Sequence, residues 1–587
     1  GGGQGNRAGN SGGTVSDAEF ATVAGGQINA ANALHSFVGG GYYNSIGIGA
    51  RGSVIAGGSN NAVNGYGSVV AGGTDNSVQP QASVIGGGAS NMIGSDAYSS
   101  VIVGGFRNMI LTHRAFIGGG QHNYSTGQLA VVVGGFANTN TGLGAFIGAG
   151  YRNLATSAYD VVVGGLLNKA LGSYSAVGGG RYNEASGWGS VAGGGDSNRA
   201  LGAYSVVDGG TNNLASANMS VIGGGSDNSI LYGAGSVIGG GSRNTVTGDL
   251  TVVAGGAANT VIADSSFIGG GSTNTIGTNA HWSVIGGGKY NSIEAGADRS
   301  VIGGGMYNVM GGQYYGFIGG GYTNAIHGDY GVLGGGSENY IADNANYSVI
   351  GGGWGNIMTN QYAHGSFIGG GYFNTVSGRW SVVTGGDRNK MGGEWAVIGG
   401  GMSNVVNGDC AVVPGGRENI ASAPYSFAAG RRASAVHTGA FVWADSSTNR
   451  FSSTTNDQFA IRASNGVWIA QNRGTGQTAG FGERFRDNGI IAWARITSAG
   501  TVSANYNITQ CVHSAEGAYQ IDIGATADSM LSLVPVAVAE VDSQPLTAGN
   551  MRLVSVNQNS GYRFDVWINN GSFAPTNSDF VFIVTGR

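Results

Sequence analysis

Ser283-Val284-Ile285-Gly286-Gly287-Gly288-Lys289-Tyr290-Asn291-Ser292-Ile293 is one spelling of a unit that recurs through most of this 587-residue chain. In general form the unit is S-V-I-G-G-G-x-x-N-x-V-x-G-x-x. Aligned on its asparagine, it gives 26 positions from Asn29 to Asn419, among them Asn228, Asn244, Asn259, Asn274, Asn389 and Asn404. The commonest spacing is 15 residues and the others are 16 to 18. A period held this long is the signature of a stacked-repeat architecture, in which each unit buries its apolar side only against its neighbours.

Each unit contains two pieces suited to extended backbone. One is Ser-Val-Ile; the other begins at the asparagine, as in Asn274-Thr275-Ile276. Val and Ile are β-branched and favour strands. The Gly-Gly-Gly run supplies positive φ for a tight turn, and a second glycine, such as Gly187 or Gly378, is expected to turn the chain back. Fifteen residues with two turns leave about four residues per strand and no room for a helix. At about 4.8 Å per rung, 26 rungs make a parallel β-solenoid about 125 Å long. Stacked asparagine amides are expected to hydrogen-bond along the axis, and asparagine also tolerates left-handed turns.

Composition agrees with an extended structural protein. Glycine accounts for 118 residues, proline for 6, and charged residues for only 10 %. The net charge is −5 and no basic stripe is present, which excludes nucleic acid as the expected partner. No run of 18 apolar residues occurs, so no membrane-inserted helix is expected. Cys410 and Cys511 lie far apart and are read as unpaired thiols. Gly1 carries no initiator methionine, so the native N-terminus is expected to lie upstream, together with any attachment segment.

Adjacent side chains on a strand point to opposite faces. In Val221-Ile222, Val237-Ile238, Val284-Ile285, Val301-Ile302 and Val349-Ile350, one residue enters the rung and the other leaves it. An apolar stripe then runs along the outside of the rod, larger than soluble monomers usually expose. Another chain is expected to cover it. Three rods about a threefold axis are the simplest closed arrangement, and the residues alone also admit two.

The unit Asn374-Thr375-Val376-Ser377-Gly378-Arg379-Trp380-Ser381-Val382-Val383 resembles the head repeats of trimeric autotransporter adhesins. That resemblance implies left-handed parallel β-rolls, three chains side by side. The chain also resembles phage tail-fibre-like proteins. Tyr425-Ser426-Phe427-Ala428-Ala429-Gly430-Arg431-Arg432-Ala433, Gly439-Ala440-Phe441-Val442-Trp443-Ala444-Asp445 and Asn456-Asp457-Gln458-Phe459-Ala460-Ile461-Arg462-Ala463 look like the terminator of such rods. Ala492-Trp493-Ala494-Arg495, Gly500-Thr501-Val502, Asn505-Tyr506-Asn507-Ile508 and Asp579-Phe580 resemble the terminal domain of such fibres. The resemblance implies a trimeric tip, often facing a receptor.

The expected organisation is an N-terminal lead-in over 1–20, a repeat shaft over 21–430, a connector over 431–482 and a C-terminal β-sandwich tip over 483–587. The tip is read from alternating segments such as Ile490–Ile496, Tyr519–Ile523, Tyr562–Ile568 and Phe580–Val584. The stretch 473–482 reads as a loop. A terminal domain also covers the exposed strand edges at a solenoid's end.

The chain shows no nucleophile motif, phosphate loop or metal-spaced cluster, so no catalysis and no cofactor are expected. His281, His327 and His364 read as turn residues. The same holds for Glu294, Asp298 and Asp343, the sparse carboxylates that a glycan-cleaving tailspike would have to use. A better functional signal is the lengthening of repeats after the asparagine strand, at 277–282, 294–299, 342–347 and 359–365, because insertions in solenoids often mark a binding face. Trp282, Asn346 and Gln361 lie in these stretches. Aromatics crowd the other turn: Tyr290, Tyr307, Tyr322, Trp354, Tyr372 and Phe373. Rings and amides together suit a glycan receptor; rung-to-rung stacking for stability is the competing role. The expected protein is an extracellular homotrimeric fibre of a phage or phage-like particle, joined at its N-terminal end to a baseplate or upstream fibre protein. A bacterial surface adhesin and a polysaccharide-degrading tailspike are the alternatives.

Overall fold

The computed structural model describes residues 2–9, 19–312, 314–359, 363–467, 489–506, 508–523, 533–539, 552–560, 563–570 and 580–586. Among these residues there is no helix. By the density of internal contacts the chain divides into two units. The first comprises Gly1–Ala429, Ser434–Phe441 and Ser453–Gln458; the second comprises Gly430–Ala433, Val442–Ser452 and Phe459–Arg587.

The repeats wind into an all-β parallel solenoid of about 29 turns, each giving one strand to each of two 29-stranded sheets. Strands of the asparagine sheet follow the ladder asparagine, as in Thr275–Ile276; those of the serine sheet follow the repeat serine, as in Val284–Ile285. Pairing is in register, with Val284 opposite Val301 and Ile285 opposite Ile302. Most strands are two residues long, not four. The difference goes into the corners. The glycine corner, Gly-Gly-Gly-x-x, carries its own column of parallel bridges, for example Lys289 to Met306 and Met306 to Tyr322.

Four positions per turn point inward, shown by Asn274, Ile276, Ser283 and Ile285, all fully buried. The two aliphatic columns form the apolar core, and each fully buried Ile or Val contributes about 1.5–3 kcal/mol. The asparagine column carries the polar load. The N–H of Asn44 donates to Oδ1 of Asn29 at 3.0 Å, and its Nδ2 donates to the carbonyls of Gly40 in its own turn and Gly58 in the next, both at 2.9 Å. One side chain thereby satisfies groups in three successive turns. The serines form a second, less regular column: Ser68 Oγ donates to the Pro80 carbonyl at 2.7 Å and accepts from the Ser83 N–H at 3.1 Å.

The turns owe their shape to different residues from those expected. The ladder asparagines are not left-handed. The left-handed positions fall just before the serine and just before the asparagine, and side-chain-bearing residues hold most of them, for example Trp282 at φ 54° and Tyr290 at φ 55°. Each costs about 1–2 kcal/mol. A hydrogen bond to the preceding turn accompanies them, from the N–H of Tyr290 to the Ser272 carbonyl at 3.0 Å and from Trp282 to Asp264 at 3.2 Å. The last glycine of the triplet is left-handed, as at Gly288 (φ 89°), where a Cβ would also run into the Gly305 carbonyl. Gly187 and Gly378 are not at positive φ. They are glycines because a Cβ would strike the carbonyls of Gly202 and Gly393 in the next turn, while Gly189 and Trp380 take the left-handed role at that corner.

The count of 26 rungs falls short at both ends. Asn6 accepts the Asn29 N–H at 3.0 Å, and Arg7–Ala8 pairs with Ala30–Ala31, so the lead-in forms a turn. Beyond Asn419 the winding goes on without asparagine. Ile420–Ala421 pairs with Ser434–Ala435, and strands at Phe441–Ala444, Phe451–Ser452 and Phe459–Arg462 join the same two sheets.

The second unit contains two four-stranded antiparallel sheets. One is ordered Val502–Tyr506, Gly489–Ile496, Phe580–Gly586, Leu533–Ala539; the other is Ile508–Ala515, Ala518–Ile523, Arg563–Asn570, Arg552–Ser560. Ile496 and Phe580 from the first share a buried cluster with Tyr519, Ile521, Phe564, Val566 and Ile568 from the second. Arg563 holds Asp522 through two hydrogen bonds of 2.6 and 2.7 Å, which lowers the carboxyl pKa. The stretch 473–482 lies outside the described residues.

Asn274→Ala leaves the Gly270 carbonyl and the Asn291 N–H without their partner, at about 1–3 kcal/mol each, and takes one of two donors from the Gly288 carbonyl, which keeps the Ser272 N–H. We expect a local loss of at least about 2 kcal/mol, read as faster hydrogen exchange at Asn291, with little effect from the outward Thr275→Ala. Asp160 occupies a serine position, fully buried, and accepts from Ser157 and Ser175. Burial outweighs these hydrogen bonds and raises its pKa. A raised acid pKa means that the folded state holds its proton more tightly, so stability falls as pH rises from the unfolded value through the folded one. Asp160→Ser should therefore stabilise the surrounding turns at neutral pH and flatten that dependence, as measured by thermal unfolding across pH.

Candidate functional site

The candidate residues fall on two corners. Tyr290, Tyr307, Tyr322, Trp354, Tyr372 and Phe373 lie on the glycine corner. Trp282 and Asn346 lie on the serine corner, reached along the chain only across the serine strand and the glycine triplet. They do not form one site. Gln361 lies outside the described residues.

On the glycine corner the rings pack turn on turn. Tyr290 stacks on Tyr307 with centroids 4.9 Å apart and an interplanar angle of 8°, and Tyr307 meets Tyr322 edge-on at 6.0 Å. Trp354 contacts Tyr372 at 4.6 Å and Phe373 at 5.2 Å. Lys289 Nζ sits 4.8 Å over the Tyr290 ring. The ring faces are largely spent on one another, and offset or edge contacts of this kind are worth about 0.5–1.5 kcal/mol each.

The serine corner carries a longer column. Arg299 lies 4.7 Å over Trp282 and 5.5 Å over Tyr315. Tyr315, Tyr330 and Tyr347 stack at 5.2 and 4.6 Å. His364 meets Tyr347 at 5.3 Å and Trp380 at 5.2 Å, and Trp380 stacks with Trp395 at 5.9 Å. Eight successive turns, from Trp282 to Trp395, thus carry a ring or a guanidinium at the same place. Partial desolvation, with the Tyr347 and Tyr315 phenols close by, raises the Tyr330 phenol pKa. The sequence reading singled out only Trp282 of this column as a binding residue. The signal was an aromatic, Arg or His immediately or one residue before the repeat serine or its equivalent.

Asn346 is a backbone cap: its Oδ1 accepts the Asp329 N–H at 2.8 Å. Asp249, Asp264, Asp329 and Asp409 do the same for Ala234, Asp249, Tyr314 and Glu394. The carboxylates weighed for hydrolysis are engaged separately. Asp298 pairs with Arg299 at 3.1 Å, while the Glu294 carboxylate and the His327 ring both lie beside Gly311, filling the space a Cβ there would need. Burial, with the nearby Asp343 charge, raises the Tyr340 phenol pKa. Among the described residues, no three His, Cys, Asp or Glu gather as a metal site. No helix among them is long and apolar enough to cross a membrane. Cys410 and Cys511 are both free, and burial pushes the Cys511 thiol up to about 11. The ladder asparagines Asn228, Asn244, Asn259, Asn274, Asn389 and Asn404 are buried and hold backbone groups.

Tyr307→Ser removes two ring contacts, at a position where Ser90, Ser197 and Ser403 show that serine fits the left-handed corner. It should lower local stability by about 1–3 kcal/mol, seen as faster exchange in the adjoining turns. No family model matches this chain, and no curated protein matches it either.

Proposed function

We propose that this chain is the protomer of a homotrimeric extracellular fibre, of phage tail-fibre type, that attaches to a cell-surface glycan. The observation that carries this reading is the outward column of the serine sheet. From Phe37 to Phe441 the first residue of each strand is Val, Phe or Ala, without a single polar interruption. These side chains are partly exposed in the single chain, with Phe267 at 39 % and Phe317 at 41 %. The corresponding column of the asparagine sheet contains Lys169, Glu184, Arg199 and Lys390. Only the serine sheet, then, presents an unbroken apolar line, and a line of that length exceeds what soluble monomers leave open.

Copies of the same chain cover such a line most economically. Every rung then meets its own equivalent about a common axis, and Val, Phe and Ala face like residues at each height. In this reading the two C-terminal sheets form a β-sandwich tip, and the solenoid is a stiff spacer whose three copies of every surface multiply weak contacts.

The test is binding of fluorescently labelled full-length protein to a panel of bacterial strains. Saturable decoration of some strains, competed by their soluble surface polysaccharide, is expected; no binding across a broad panel contradicts attachment. Val301→Glu combined with Val349→Glu places charges in the apolar line. It should separate the copies and weaken cell binding at least about 100-fold through lost avidity.

A further inference from the structure

The serine corner between Trp282 and Trp395 combines features that the stability of the rod does not require together. The column is open to solvent along its length, with Trp282 exposed by 55 %, Tyr330 by 40 % and Trp395 by 60 %. It coincides with the part of the shaft where the repeats are longest: the ladder spacings between Asn274 and Asn374 reach 17 and 18 residues. The same left-handed corner position is filled elsewhere by Ala82, Ser99 and Ser265, so the turn itself needs no ring there.

We infer that this corner is the receptor-contact track of the shaft and that its ligand is a polysaccharide lying along the fibre axis. The inference rests on the proposed attachment role and moves the binding site from the C-terminal tip to the side of the solenoid.

The shape and chemistry of the track favour a polysaccharide. The column is one residue wide and repeats every turn, at about 4.8 Å, over a length of about 34 Å. Protein-binding hot spots cluster near the centre of a broad patch ringed by neutral contacts, and a line of single residues has no such centre. A ligand that is itself a regular chain can engage a line. The rings are stacked face to face through Tyr315, Tyr330 and Tyr347, so they offer edges and phenolic hydroxyls. Such edges can pack against sugar C–H groups while the phenols exchange hydrogen bonds with sugar hydroxyls. Between residues 277 and 395 there are seven carboxylates against five lysines and arginines. That balance does not draw in an anionic lipid surface or nucleic acid, both of which need clustered cations.

The test uses full-length protein carrying Tyr330→Ser and Tyr347→Ser, matched by a control carrying Tyr159→Ser and Tyr174→Ser. The control pair also stacks on the serine corner, nearer the N-terminus, at 5.2 Å. Biolayer interferometry against a panel of immobilised bacterial capsular and lipopolysaccharide glycans reads binding, and sedimentation velocity reads assembly. We expect the Tyr330/Tyr347 variant to keep the assembled mass of the wild type and lose at least tenfold in affinity for the glycan that the wild type binds, with the control unchanged. Full binding by the Tyr330/Tyr347 variant overturns the track while leaving the attachment role standing. An equal loss in the control also overturns it, as does a loss of assembly, which would make the corner a contact between copies. A wild type that binds none of the glycans overturns both the track and the attachment role. Should both tyrosine changes unfold the turn, Tyr347→Phe alone removes one phenol and keeps the stack. It should still weaken binding measurably, and unchanged binding would count against the track.

Discussion

A turn of fifteen residues with two strands of two residues each has too little regular pairing to satisfy its own corners. The Gly-Gly-Gly run brings backbone carbonyls to the inside of the coil, away from water, where an unpartnered polar group costs about 1–3 kcal/mol. The asparagine amide meets that demand. Its oxygen takes the N–H of the next asparagine, and its nitrogen ties down glycine carbonyls in its own turn and the next. Isoleucine and valine fill what remains of the interior. Remove the amide and the glycine corner loses the partner that defines it, which is why one residue type recurs while its neighbours vary.

That dependence explains the division of labour around the turn. The inside is nearly invariant in chemistry. The outside varies by column: aliphatic and phenyl on the serine sheet, mixed polar on the asparagine sheet, rings and caps on the corners. Left-handed corners held by Trp, Tyr and Arg are costly one at a time. Each is secured by a hydrogen bond to the turn before it, and many by a ring or guanidinium above or below. Such a rod is held by nearest-neighbour contacts throughout, so a local change in the inner column should be felt locally, and the outer columns can diverge into binding surfaces without loss of the fold.

Much of this was legible in the sequence because period and burial coincide. The asparagine spacing gave the turn, and the Val-Ile pairs gave the in-out alternation. Asn6 was missed although Gly1-Gly2-Gly3-Gln4-Gly5-Asn6 spells the motif, because the next ladder asparagine, Asn29, stands 23 residues on and breaks the beat. The turns after Asn419 were missed because Ser434, not the residue after an asparagine, pairs with Ile420, and Phe427-Ala428-Ala429-Gly430 no longer spells a glycine triplet. The roles of Gly187 and Gly378 could not be read locally. Glycine for left-handed backbone and glycine for close approach look alike in a sequence, and only the neighbouring carbonyl tells them apart. The two turns that carry candidate rings were legible, since Ser283-Val284-Ile285 and a glycine triplet separate Trp282 from Tyr290, but the serine-corner column beyond Trp282 was not, because its members change between Trp, Arg, Tyr and His from turn to turn.

The proposed assembly into a trimer follows from the unbroken apolar line of the serine sheet, which a single chain leaves partly exposed to water. Sedimentation equilibrium of the full chain, followed from micromolar to nanomolar concentration, addresses it most directly. One species at three times the chain mass of 58.7 kDa, persisting on dilution, is expected. A folded, soluble species at the mass of one chain, stable across that range, would contradict it.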